Sequence, residues 1–135
     1  MKYFFVLLSI MLGLAGCTPD TRTDDYRSVL LPIETIDLPA KFKVDSISVI
    51  TIHYKKPNTC NLFNGFYYSK SEMTRTVAIN SVEMLNSNCL TDNTIIDVSL
   101  KFQPQQSGDY TFKFWQGTST AGTDNFLTNV IHVEP

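Results

Sequence analysis

Residues able to carry chemistry are scarce: the 135-residue chain holds two histidines, three cysteines and one tryptophan. His53 and His132 stand apart, and no HxH, HxxxH or HExxH spacing brings a second ligand beside either. A zinc site would need its other ligands gathered by the fold. No serine sits in a GxSxG turn, so the sequence signature of one large hydrolase class is missing. There is no DxDxDG loop, and Glu72, Glu83 and Asp92 are isolated. The carboxylates therefore read as solvated faces rather than a calcium cage. Basic runs stop at Lys55-Lys56, too short to neutralise a phosphate backbone, which argues against nucleic acid as a partner. Behind Leu14 no window has the 3.6-residue apolar period of a helix. The expectation is a chain that is not an enzyme and holds no metal and no cofactor.

A long apolar run is also missing. The only sustained one, Tyr3 to Leu14, is shorter than the ~20 residues of a spanning helix. Met1 to Cys17 (MKYFFVLLSIMLGLAGC) instead combines one positive charge at Lys2, that short stretch, and the small pair Ala15-Gly16. These are the parts of a secretory signal. Leu14-Ala15-Gly16-Cys17 resembles the lipobox of bacterial lipoproteins. The resemblance implies a diacylglyceryl group on the Cys17 thiol, cleavage before Cys17 and acylation of the new amino terminus. Each buried methylene contributes ~0.8 kcal/mol, so two or three acyl chains hold a protein on a bilayer where one does not.

Residues 1–16 are then the signal peptide, 17–27 the lipidated cysteine with a polar tether, and 28–135 one domain. The expected partner is a membrane, reached through Cys17, and the expected location is the bacterial cell envelope. Thr18 is not the aspartate that retains lipoproteins in the inner membrane of enteric bacteria, which favours the outer membrane. Cleavage removes Lys2 and leaves ten basic against thirteen acidic residues, a net charge of −3 too mild to select a partner.

With Cys17 assigned to lipid, Cys60 and Cys89 remain as an even pair in an exported chain. Neither has a CxxC neighbour or a nearby histidine, so a disulfide is favoured over a metal pair or a catalytic thiol.

From Ser28 the chain reads as strand after strand. Val29–Leu38 is apolar but interrupted by Pro32, which marks an edge. Val44–Tyr54 changes parity after Val49, suggesting a bulge or burial on both faces. Asn61–Ser69 contains Asn64-Gly65 and is either one bent strand or a short hairpin. Thr74–Leu85 alternates, then slips phase at Ser81, and Asn86–Asn93 is a loop by composition. Thr94–Phe102 and Asp109–Trp115 alternate cleanly, the second with Tyr110, Phe112 and Phe114 inward and Trp115 outward. Gly117–Asn125 reads as a nine-residue flexible loop before the closing strand Phe126–Glu134.

Strands at this spacing predict an all-β sandwich. Gln106-Ser107-Gly108-Asp109-Tyr110 resembles the tyrosine corner of immunoglobulin-like domains, with Gly108 and Tyr110 as its structural residues. That resemblance implies an immunoglobulin-like sandwich of about seven antiparallel strands. The chain departs from antibody domains in having no core cysteine pair and in carrying Trp115 on the wrong parity for the core tryptophan.

Four aromatics, Phe63, Phe66, Tyr67 and Tyr68, fall within six residues, more than one strand face can bury. Phe66, Tyr67 and Tyr68, with Trp115, form the candidate binding surface, and the bland alternative is a strand covered on both sides. The favoured function is a non-catalytic binding or accessory module of the envelope, with a protein or glycan partner. A glycan-binding surface domain is one alternative. Another is a periplasmic inhibitor, because Ser107-Gly108-Asp109-Tyr110 is faintly similar to a loop of small lysozyme-inhibiting lipoproteins.

Overall fold

The structure, a computed structural model, describes residues 25–85 and 87–135. The expected signal peptide, Cys17 and most of the tether lie outside those residues. Nine strands run in order: β1 Tyr26–Leu31, β2 Ile33–Asp37, β3 Phe42–Lys43, β4 Ser48–Lys55, β5 Asn61–Ser71, β6 Thr74–Met84, β7 Ile95–Phe102, β8 Gly108–Thr118 and β9 Asp124–Glu134. The strand region therefore opens at Tyr26, two residues before the expected boundary.

The strands form two sheets. The larger has the order β1-β6-β8-β9-β3, with β5 also on β6, and the smaller has the order β2-β4-β7. β5 pairs along β6 from Thr74 to Glu83, so β1 and β8 share the other edge of β6: β8 takes Thr74–Val77 and β1 takes Ile79–Met84. β6 and β8 run parallel because the chain crosses to the small sheet as β7 and back, reversing twice. β3 also pairs parallel with β9. The all-β sandwich matches the expectation, with nine strands instead of about seven and two parallel pairings where purely antiparallel sheets were expected. Those pairings depart from the two antiparallel sheets of an immunoglobulin domain.

The extra strands have local causes. Pro32 has no N–H for a ladder, and there the chain leaves the large sheet and joins the small one, splitting one expected strand into β1 and β2. Phe42–Lys43 is a further short strand at the edge of the large sheet.

Other parity problems dissolve in the fold. β4 has no bulge along its pairing with β7; Ile50, Ile52 and Tyr54 face the core, while Ile47 and Val49 are exposed. Ser81 is fully buried in phase with Val77 and Ile79, and its hydroxyl donates to the Leu62 carbonyl at 3.0 Å. A satisfied buried hydroxyl carries no desolvation penalty that would expel it from the core. Asn64-Gly65 makes no hairpin: β5 is one strand with a bulge between Phe63 and Phe66, where Gly65 takes φ +95°.

The core lies between the sheets. Ile33, Ile50, Ile52, Tyr54, Leu100 and Phe102 come from the small sheet, and Val77, Ile79, Tyr110, Phe112, Phe114, Ile131 and Val133 from the large one. Phe102 and Phe112 meet edge to face across the layers, with ring centroids 5.0 Å apart. Cys60 and Cys89 form the expected disulfide, Cα atoms 5.4 Å apart, tying the 87–94 segment to the start of β5.

The corner is built as its sequence suggests. Tyr110 is 2% exposed, and its hydroxyl donates to the Gln106 carbonyl at 3.2 Å. Gly108 holds φ +125°, which side chains rarely adopt, and a Cβ there would meet Met73 Cε at 3.3 Å. Tyr110→Phe is expected to lose about 1 kcal/mol, the net worth of the hydrogen bond that the Tyr110 hydroxyl donates to the Gln106 carbonyl. Urea unfolding checks this, and an unchanged midpoint would mean the hydroxyl bond contributes nothing.

Candidate functional site

Alternation along five strands of the large sheet turns one set of side chains away from the core. Leu30 on β1, Tyr67 on β5, Thr76 and Ala78 on β6, Trp115 on β8 and Phe126 on β9 face outward, in register with one another. With Thr118 and Asp124 they line a groove of about 500 Å³. Ala78 is the small residue that makes the depression. It pairs directly across from Tyr67 and is itself buried.

Trp115 is held in place. Its Nε1–H donates to Asp124 Oδ1 at 3.0 Å, and the Thr118 hydroxyl donates to the same oxygen at 2.6 Å. The Thr118 bond, then the Trp115 bond, keep the Asp124 carboxyl below its ordinary range, so the groove has an ionised acid at one end. Lys113 Nζ lies 4.3 Å over the ring of Phe126. The groove thus offers flat apolar faces beside hydroxyl and carboxylate groups, and among its lining residues there is no histidine, serine or cysteine. That set can stack and hydrogen-bond; it has no nucleophile paired with a base.

The expected aromatic surface divides along β5. Tyr67 is half exposed and looks into the groove, while Phe66 and Tyr68 pack against the core and share no surface with it. The bulge at Gly65 sets this parity. Phe63 is exposed in part; its ring is tilted against Tyr54 and meets Phe66 edge to face on the inner side. Leu30, Ala78 and Phe126 were not singled out in the sequence, because only the pairing of four strands brings them beside Trp115.

The Gly117–Asn125 stretch is a tight connection. β8 and β9 extend into it, Gly122 N–H donates to the Ser119 carbonyl at 2.9 Å, and Ser119 N–H to the Thr123 carbonyl at 2.8 Å. Asp124, by bonding back to Thr118 and Trp115, completes the closure. In the Ser107–Tyr110 motif, Ser107 and Asp109 are exposed and Tyr110 is spent on the corner.

His53 lies on the outer face of the small sheet between two carboxylates that its isolated position in the sequence did not reveal. Nδ1 is 2.6 Å from Asp97 Oδ1 and Nε2 is 2.9 Å from Asp37 Oδ2. Asp97 stands directly opposite on β7, so the alternating outward face of β7 is the signal that could have paired them. The two nitrogens point to different acids, a geometry that staples β2, β4 and β7 together and leaves neither nitrogen for a metal or a nucleophile. Among the described residues no group of three His, Cys, Asp or Glu side chains is placed to hold a metal. His132 Nδ1 has a similar contact at 2.7 Å to Asp109.

The hydrogen bond to Asp97, followed by that to Asp37, raises the His53 pKa above the ordinary 6.5. A raised folded value means the protonated form stabilises the fold fully below pH 6.5, and that contribution disappears as pH rises through the folded value. The wild-type melting temperature minus that of His53→Gln is therefore expected to shrink from acidic to mildly alkaline pH. A difference that stays constant or grows contradicts the staple.

No protein-family model, no curated protein and no solved structure matches the chain.

Proposed function

We propose that this chain is a lipid-anchored lipoprotein of the bacterial cell envelope whose sandwich is a non-catalytic binding module. The signal-like Met1–Leu14 stretch and the lipobox-like Leu14–Cys17 support the anchor. The groove around Trp115 carries the binding role: a fixed indole, a half-exposed tyrosine and Phe126 surround a buried alanine floor on an otherwise regular sheet face. Large aromatics left at the surface and held in position are the usual anchors of recognition. A chain that needed them only for stability would gain more by burying them.

Within that reading a glycan is the favoured partner. Thr76, Thr118 and Asp124 place hydroxyl and carboxylate groups directly beside the aromatic rings, the pairing that a sugar with one apolar face and a hydroxyl rim requires. Trp115 is the only tryptophan, so its emission reports on the groove alone. Titration with neutral oligosaccharides is expected to shift that emission, and Tyr67→Ala to weaken binding by roughly 1 kcal/mol. A broad panel of neutral oligosaccharides that leaves the emission unchanged would remove the glycan reading.

A further inference from the structure

A second cavity, of about 350 Å³, opens where the β5–β6 turn of the large sheet approaches the segment joining β7 to β8. It shares no lining residue with the groove around Trp115. Its wall carries Lys70, Arg75 and Lys101 against the single acid Glu72, a local excess of positive charge on a chain whose net charge is −2.

Arg75 is rigidly placed. Nη1 donates to the Glu72 carbonyl at 2.7 Å and the Thr74 carbonyl at 2.9 Å, and the guanidinium lies 4.9 Å from the centroid of the Tyr110 ring. Its Nε is buried without an acceptor. Such a cation sits at the wall before any ligand arrives, which lowers the ordering cost of binding. Lys70 is exposed, with its Nζ 5.9 Å from the centroid of the Tyr68 ring on the same wall. The Tyr68 hydroxyl shares the wall, and burial raises its pKa against the opposing pull of Arg75, so it stays a donor at neutral pH. Gln105 and Gln106 complete a lining with more hydrogen-bonding groups than one small anion can use.

We propose that this cavity binds a small carboxylate-bearing sugar, a uronic acid being the simplest case. Arg75 and Lys70 take the carboxylate, and Tyr68 with Gln105 and Gln106 meets the ring hydroxyls. Guanidinium groups match planar carboxylates, and the volume lies at the lower end of the ~300–1,000 Å³ typical of small-molecule sites. The cavity lies at the Thr74 end of β6, while β1 begins against Met84, ten residues along and about 33 Å away. If the chain is anchored through Cys17, that separation favours a soluble ligand over a headgroup of the anchoring bilayer.

Calorimetric titration of the full chain in detergent tests this with D-glucuronate, D-glucose, inorganic phosphate and glycerol phosphate, the last a soluble stand-in for an anionic headgroup. Glucuronate is expected to bind at least about tenfold more tightly than each of the others, and less tightly as salt rises. Lys70→Gln alters an exposed position and keeps the fold. It is expected to weaken glucuronate binding by about tenfold, the worth of one charge-assisted hydrogen bond. Glucose equalling glucuronate would overturn the carboxylate assignment, and either phosphate equalling it would overturn the sugar-acid assignment. Unchanged affinity in the Lys70→Gln variant would overturn the site. None of these failures touches the groove around Trp115, which is read by its own fluorescence.

Discussion

Phe112→Ala is expected to lower the unfolding free energy by about 3–5 kcal/mol. Phe112 is fully buried at the middle of β8, with its ring 5.0 Å from Phe102 and 5.7 Å from Phe114. Phe102 belongs to the small sheet, so the substitution removes the ring that fills the space between the layers as well as apolar area. A domain of this size holds about 5–15 kcal/mol in total, so the variant would lose roughly a fifth of it or more. Chemical unfolding followed by Trp115 emission measures the loss, because the indole lies on the other face of the same strand. A loss under about 1 kcal/mol would mean that the two sheets do not meet at Phe112.

Removing the Cys60–Cys89 bond is expected to cost about 3.5 kcal/mol by the chain-entropy estimate for a sequence separation of 29. The two arms are also joined by the backbone: Thr59 N–H donates to the Leu90 carbonyl at 2.9 Å, and Lys56 N–H to the Thr94 carbonyl at 2.9 Å. Asn58 and Thr91 form a bridge between these contacts. Those bonds keep the segment in register, so Cys60→Ser with Cys89→Ser is expected to fold, with a lower denaturant midpoint. A midpoint unaffected by reductant would show that the unfolded chain gains no freedom when the bond is opened.

The sequence made the regular strands visible and concealed the places where the chain changes layer. Ile96, Val98, Leu100 and Phe102, like Tyr110, Phe112 and Phe114, alternate with polar neighbours, and each set faces the core as that alternation requires. Pro32 announced an edge correctly; that the chain also switches sheets there depends on which strands compete for β6, which no local pattern records. Ser81 looked like a phase slip because a hydroxyl reads as polar, and its partner, the Leu62 carbonyl, lies 19 residues away. The 117–125 stretch looked flexible from its small residues; the bonds from Thr118 and Trp115 to Asp124 are invisible until the hairpin closes.

The candidate site was half legible for the same reason. Trp115 stands out by its outward parity and Tyr67 as one of a crowded aromatic set, and the groove brings them together. Phe66 and Tyr68 belong to the core instead, because the Gly65 bulge fixes their phase. The carboxylates beside His53 and the three cations around Arg75's cavity come from separate strands, and spacing along the chain carries no trace of such clusters.

The most direct test of the account is the intact mass and amino-terminal sequence of the protein extracted from bacterial membranes. The expected product is a chain that begins at Cys17, without residues 1–16, and carries diacylglyceryl and amine-linked acyl groups on that cysteine. A mature chain that begins elsewhere, or carries an unmodified Cys17, would contradict it.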